Sequence, residues 1–166
     1  MTLQLKAPAP LATEHLVDQF ACGEASLDDW LKRRAMANQL NGASRTFVVA
    51  SPDQRVYGYY ALAAGAVSHQ MASSSVRRNM PEPVPVMVLA RLAVDQRAQG
   101  VKLGAALLQD AVNRSVAVSQ NAGVRALLVH ALHERAKFFY EHYGFQASPL
   151  EPLVLMLRLN AGLQRL

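Results

Sequence analysis

The sequence predicts an α/β protein built on a mixed, mostly antiparallel sheet with one parallel crossover, and three observations predict it. Residues 88–94 form an apolar, strand-like run that passes through a polar, glycine-bearing turn into a helical run starting near Val101. Upstream, residues 45–50 and 56–67 are β-branched and aromatic runs joined by Ser51-Pro52-Asp53, the pattern of an antiparallel hairpin. Downstream, residues 124–130 read as a buried strand; the helix before it makes this strand the parallel partner of 88–94.

Composition narrows the class. A chain of 166 residues, 51% hydrophobic and 17% charged, predicts one domain spanning 1–166 with a single core and little disorder. Cys22 stands alone, which excludes an intrachain disulfide or a cysteine zinc cluster and makes a reducing cytoplasm the expected setting. The first sixteen residues lack the apolar core of a signal peptide. No run approaches the roughly 18 apolar residues that cross a membrane, so no membrane partner is expected. The net charge of +5 favours an anionic partner, whether nucleic acid, phosphorylated cofactor or acidic protein.

Each element has a local reason. Residues 3–16 hold Pro8 and Pro10 and predict a short edge strand and a loop. Ser26 is placed to cap a helix whose Asp28 and Asp29 fall in the first turn, where negative charge suits the helix dipole. Leu27, Trp30, Leu31, Arg34 and Ala35 then recur at helical spacing, and Asn41-Gly42 ends the run. Gly58 and Gly65 in the long hairpin strand mark candidate bulges. Residues 69–80 are irregular or weakly helical, and Pro81, Pro83 and Pro85 stop regular structure before the central strand. After Gly100, Leu103, Leu107, Leu108, Ala111 and Val112 line one helix face. A short helix over 134–143 is closed by Gly144, and 152–159 supplies a final strand.

The strand, glycine loop and helix around Gly100 form a phosphate site in outline, because unpaired N–H groups and the helix dipole at that end both favour anions. That geometry alone serves several ligand classes. Two segments together are more specific: Arg97-Ala98-Gln99-Gly100-Val101-Lys102-Leu103-Gly104, and the later run from Glu134 through Phe139-Tyr140 to Tyr143-Gly144-Phe145. Their order and separation resemble the GNAT superfamily of acyl-CoA-dependent N-acetyltransferases. Its pyrophosphate loop reads Arg or Gln, two variable residues, Gly, one variable residue, then Gly or Ala, and its later helix ends in a similar aromatic-Gly-Phe pattern. The resemblance covers nearly the whole chain. Phe20-Ala21-Cys22-Gly23, Leu27-Asp28-Asp29-Trp30-Leu31, Gly58-Tyr59-Tyr60-Ala61-Leu62 and Leu89-Ala90-Arg91-Leu92-Ala93-Val94-Asp95 look like the GNAT toxins of bacterial toxin–antitoxin modules.

The resemblance implies a GNAT fold, with a V-shaped splay between strands 4 and 5 and helices on both faces of the sheet. It implies acetyl-CoA as co-substrate, held by the backbone of Leu92, Ala93 and Val94 at the pantetheine arm and by the loop residues Arg97, Gln99, Gly100, Val101, Lys102, Leu103 and Gly104 at the pyrophosphate. It implies Tyr140 as the acid that protonates the departing thiolate, and the free amine of aminoacyl-tRNA as acceptor. An α-amino group with a pKa near 8 is appreciably neutral at cellular pH and needs no strong protein base. A cognate ribbon-helix-helix antitoxin, a homodimer, and DNA contact only through the antitoxin follow from the same resemblance. Basic candidates for the tRNA surface are Lys32, Arg33, Arg45, Arg77, Arg78 and Arg91. His130 and His133 read as hydrogen-bonded structural residues and Cys22 as a structural thiol.

One position departs from the family pattern. Lys102 stands where a small residue is usual, because the backbone there approaches the pyrophosphate closely. Either its side chain swings out and lends a charge to a cofactor phosphate, or it narrows the site. Two rival readings stay open on sequence alone: an acetyltransferase of a protein N-terminus or small amine, and a catalytically silent binding module in a toxin–antitoxin repressor complex.

Overall fold

The computed structural model describes residues 3–160. Among the described residues seven strands form one sheet in the order β1-β2-β3-β4-β5-β7-β6, and there are five α-helices. The strands are β1 (Ala9–Pro10), β2 (Arg45–Ala50), β3 (Val56–Val67), β4 (Val84–Val94), β5 (Ala126–His130), β6 (Gln146–Ala147) and β7 (Val154–Arg158). The helices are α1 (Ala25–Arg33), α2 (Ala35–Asn41), α3 (Ser74–Arg77), α4 (Leu103–Ser119) and α5 (Glu134–His142). Of the registered strand pairs only β4–β5 is parallel, from Val86↔Ala126 to Leu89↔Val129; β1–β2, β2–β3, β5–β7 and β6–β7 are antiparallel. This is the mixed sheet with one parallel crossover that the sequence predicts.

The backbone groups into two compact units. One comprises the chain up to Ala63 together with Arg91–Asp110, and the other Ala64–Ala90 together with the chain from Ala111. In the first unit the core gathers Leu11, Phe20, Leu31, Ala35, Val48, Val56, Tyr59 and Ala93. The Tyr59 ring stacks on Trp30 at 6.0 Å and its hydroxyl donates to the Leu27 carbonyl at 2.6 Å, so α1 is pinned to β3 by packing and by a satisfied polar group. In the second unit Val67, Val76, Val84, Val86, Ala126, Val154 and Met156 form the core, with α3 packed on β7.

Several local expectations are corrected. The single helix expected from Ser26 starts at Ala25 and breaks at Arg34 into α1 and α2, where φ is −121° and ψ −31°. Ser26 lies inside α1 and makes no cap. Asp28 acts instead, accepting the Cys22 N–H at 2.9 Å and so fastening the entering chain to the first turn. Gly42 at φ +81° closes α2 as expected. Pro85 does not stop β4 but lies in it: the ladder asks only for its carbonyl, which accepts the Arg125 N–H at 2.9 Å. The predicted 124–130, 134–143 and 152–159 shorten at their ends, and β6, with two residues, is too short to carry a periodic signal.

The two suspected bulge glycines separate. Val49 pairs Gly58 and Ala50 pairs Val56, so Tyr57 is the extra residue of a bulge beside Gly58. Gly65 instead permits a close approach, since a Cβ there would meet Val88 Cγ2 at 2.8 Å.

Candidate functional site

The β4–β5 ladder ends at Leu89↔Val129, while β4 continues to Val94. Leu92, Ala93 and Val94 thus lie past the end of the registered parallel pairing. The chain then turns through Asp95 and a 3-10 turn at Gln96–Ala98 to Gln99, Gly100, Val101 and Lys102, and α4 begins at Leu103.

The anchor of this turn is Asp95, 1% exposed. Its carboxylate accepts the Arg97 N–H at 2.8 Å, Arg97 Nε at 2.9 Å, Arg97 Nη2 at 3.0 Å and the Ala21 N–H at 3.0 Å. Burial alone would raise the carboxyl, but the Arg97 guanidinium and the two N–H donors outweigh it and hold its pKa below the ordinary carboxylate value. The bulge residue Tyr57 completes the mount: its carbonyl accepts the Asp95 N–H at 2.8 Å, and Arg97 Cζ lies 4.8 Å from its ring centroid. Arg97 therefore holds the loop rather than reaching out from it.

Gln99 is likewise turned back. Its amide donates to the Val94 carbonyl at 3.0 Å and the Cys22 carbonyl at 3.1 Å, while Gln96 N–H donates to Ala21 O at 2.8 Å. Residues 21–22 bracket the turn, a role no periodicity or composition signal marks. The Cys22 thiol, pushed up to about 12 by burial and by the neighbouring Asp28, stays neutral, as a structural thiol does.

The open part of the loop is its last turn. Gly100 has φ +85°, and a Cβ there would meet nothing within 4 Å. Lys102 has φ +64°, in the left-handed region that glycine favours. Val101 and Lys102 are exposed. The first α4 ladder bond runs from Ala106 N–H to Lys102 O at 3.1 Å, so the N–H groups of Leu103, Gly104 and Ala105 precede the ladder at the positive end of a seventeen-residue helix. These residues fit a diphosphate: several N–H donors, open space at Gly100 and one added cation.

Tyr140 lies in α5, whose first turn is capped by His133 Nδ1 accepting the Ala136 N–H at 3.2 Å. Its ring packs against Phe139 and Phe145, and its carbonyl accepts both the Tyr143 and Phe145 N–H groups at 3.1 Å, where Gly144 at φ +100° reverses the chain. Burial raises the phenol above its ordinary pKa, so it is protonated throughout the neutral range. The hydroxyls of the buried Tyr59 and Tyr60 are committed to Leu27 O and Asp110; that of Tyr140 bonds no group among the described residues. A proton at that oxygen is available to a ligand.

The basic candidates divide between the two units. Lys32 and Arg33 are exposed in the last turn of α1, and Arg45 Nη1 donates to Gln39 O at 2.8 Å. Arg91 lies over the Trp30 ring, with Cζ 5.1 Å from the centroid. Arg77 and Arg78 follow in the other unit, Arg77 Nη1 donating to Ala72 O at 3.3 Å. Among the described residues no group of His, Cys, Asp and Glu could hold a metal ion, and no helix is long and apolar enough to cross a membrane.

Residues 12–154 match the family model described as Acetyltransferase (GNAT) domain. The chain is 52% identical over 154 residues to a tRNA-acetylating toxin of Mycobacterium tuberculosis (strain ATCC 25618 / H37Rv), covering 93% of this chain and 92% of that one. A solved tyrosine-to-phenylalanine mutant of KacT is similar at a TM-score of 0.89 and 26% identity, covering 95% of this chain and 96% of its own. AtaT complexed with acetyl-methionyl-tRNAfMet gives 0.87 and 27%, covering 95% and 96%. Mutant AtaT bound to the C-terminus of the antitoxin AtaR and acetyl-CoA gives 0.81 and 25%, covering 95% and 94%. With the family model spanning most of its length, and with a loop and helix end fit for a diphosphate, this chain belongs to the GNAT acetyltransferases.

Proposed function

We propose that this protein transfers the acetyl group of acetyl-CoA to the α-amino group of an aminoacyl-tRNA and acts as the toxin of a toxin–antitoxin module. The observation that carries this reading is the 52% identity to a tRNA-acetylating toxin, sustained over 93% of the chain. It works in the cytoplasm as a homodimer, with a ribbon-helix-helix antitoxin as partner and DNA contacted only through that antitoxin. An antitoxin complex of AtaT supports the partner.

Bound acetyl-CoA supplies an activated thioester. In the proposed arrangement the N–H groups from Gly100 to Gly104 hold its pyrophosphate, Lys102 adds a cation, and Leu92 to Val94 offer backbone groups to the pantetheine arm. Arg97 and Gln99 hold the loop in shape from behind. The acceptor nitrogen forms the new C–N bond as the C–S bond breaks; Tyr140 donates a hydrogen bond to the leaving sulfur and passes it a proton as the ammonium formed at the acceptor replaces the one it gives. Because an α-amino group is a weak base near pH 8, orientation and one acid suffice.

The experiment is mass spectrometry of total charged tRNA after incubation with the protein and acetyl-CoA. Acetylated aminoacyl ends are expected for one or a few amino acids. Their absence for every amino acid overturns the substrate assignment.

A further inference from the structure

Unit by unit, the sharpest unexplained polar feature is a group of arginines around α3 and the adjoining ends of β5 and β7. Arg125 precedes β5 and donates from Nε to Val76 O at 3.1 Å and from Nη2 to Ser75 O at 3.0 Å and Arg78 O at 3.2 Å, gripping the end of α3. Its Nη1 meets no acceptor among the described residues. In the β5–β7 register Arg158 opposes Ala126, the residue next to Arg125, and shares its strand face with Met156 and Val154, which pack in the α3 core. Arg158 Nε is buried and has no hydrogen-bond partner. Arg78, the residue after α3, is exposed. The charges of Arg158 and Arg78 add to burial in pulling Arg125 below the usual guanidinium pKa, so the three cations are felt together.

No carboxylate answers them. Residues 64–81, 111–133 and 152–160, which carry α3, β5 and β7, contain no Asp or Glu, and none of the three arginines forms an ion pair among the described residues. Buried N–H donors in folded proteins are nearly always satisfied, and like charges brought together without a counter-ion are unfavourable. An external oxyanion would meet both demands, accepting from the guanidinium groups and countering their charge.

We propose that Arg78, Arg125 and Arg158 form a seat for a phosphodiester of the tRNA backbone. Guanidinium forks match phosphate oxygens in pairs. A polyanion is favoured over an acidic peptide because the exposed Arg77 beside Arg78 extends the cationic edge, which a repeating phosphate backbone meets at successive charges. The seat rests on the tRNA reading above. None of the three residues is in the acetyl-CoA loop, and the proposed seat concerns how tRNA is held and not the donor.

The test is the double variant R78Q/R158Q in the full chain; Arg125 is left intact because it fastens α3. The expected result is an unchanged acetyl-CoA affinity, a rise of about tenfold or more in the KM for charged tRNA, and a tRNA-binding salt slope smaller by about one. An unchanged KM with an unchanged slope overturns the proposal. Loss of antitoxin binding with tRNA affinity intact also overturns it, since the anion would then be a partner's carboxylate. If the glutamine pair lowers the melting temperature, R78K/R158K replaces it and is expected to keep the slope while losing affinity; an unchanged affinity there argues against a fork. Salt-dependent tRNA binding reads the seat without acetyl transfer, so a wild-type protein that binds tRNA through these arginines but acetylates none refutes the reaction and leaves the seat standing.

Discussion

Asp95 holds Arg97 at three points, through its backbone N–H at 2.8 Å, Nε at 2.9 Å and Nη2 at 3.0 Å, and thereby sets the turn that precedes the diphosphate loop. The carboxylate is 1% exposed, but the Arg97 side chain is 45% exposed, so solvent screens the ionic share and the hydrogen bonds carry most of the energy. Asp95→Asn turns an acceptor-only group into one that faces donors with its own N–H. We expect a loss of about 1–3 kcal/mol in denaturant melts, and weaker acetyl-CoA binding by calorimetry. The pH dependence has a definite sign. A carboxyl whose folded pKa lies below the unfolded value of about 3.9 contributes its full stability above that value. The contribution fades as pH falls through the lower folded pKa. In the Asn variant the stability difference from wild type therefore narrows below about pH 4; a constant difference from pH 7 to pH 3 removes Asp95 from the account.

Lys102 occupies the left-handed region at φ +64°, and this explains the family's small residue there as much as any close approach of ligand. For a non-glycine residue that conformation costs about 1–3 kcal/mol, while glycine loses roughly 0.5–1 kcal/mol more backbone entropy on folding. The two partly offset, so Lys102→Gly is expected to shift stability little and leave affinity as the clean readout. If the exposed ammonium meets a phosphate, acetyl-CoA affinity falls about two- to fivefold and becomes less salt-dependent. Tighter binding by the glycine variant establishes instead that the lysine narrows the site.

Much of this was legible in advance, for identifiable reasons. The hairpin, central strand and α4 carry long periodic runs, and Gly42, Gly100 and Gly144 sit where the chain takes positive φ. The sequence likewise picked out the loop and Tyr140 as two well-separated segments. What it hid is of another kind. Asp95, Tyr57 and the backbone of residues 21–22 support the loop through hydrogen bonds that span up to 77 positions, which no local pattern encodes. The place of Arg97 and Gln99 in the loop does not reveal that both side chains turn inward, to Asp95 and to the Val94 and Cys22 carbonyls. The break at Arg34 has no glycine or proline to announce it, and Arg125 and Arg158 stand out only once β5 and β7 are paired.

Gly58 is the point where β3 admits α4. A Cβ there would stand 2.9 Å from Leu107 Cδ1 and 3.2 Å from Leu103 Cδ2, both in the first turns of α4. Gly58→Ala gains roughly 0.4–1 kcal/mol from a less flexible unfolded chain, but overpacking a filled core typically costs about 1–3 kcal/mol. The second effect wins. The variant is expected to melt lower, and because Leu103 opens the helix whose N–H groups are proposed to hold the pyrophosphate, its acetyl-CoA affinity should fall as well. Wild-type melting and affinity together would mean that the leucine tips move aside and the helix stays put.

Tyr140 is a weak acid by any standard. Its ordinary pKa of about 10 already exceeds a thiol's at about 8.5, and burial raises it further. Full proton transfer to a thiolate is thus uphill taken alone, and the phenol helps by hydrogen-bonding sulfur as charge develops, while the ammonium formed at the acceptor replaces the proton. This places the loss for Tyr140→Phe at about 10²- to 10³-fold in kcat, the lower part of the range for general acids. The phenyl ring keeps the contacts to Phe139 and Phe145, so melting should change little. The pH profile discriminates further. The rate rises through about pH 8 as the acceptor amine loses its proton, and with the phenol held neutral by burial no falling limb appears before about pH 10. Near-normal turnover by the Phe variant excludes Tyr140 as the acid; a wild-type rate that falls well below pH 10 while the Phe variant's does not assigns that limb to the phenol and overturns only its being held neutral by burial.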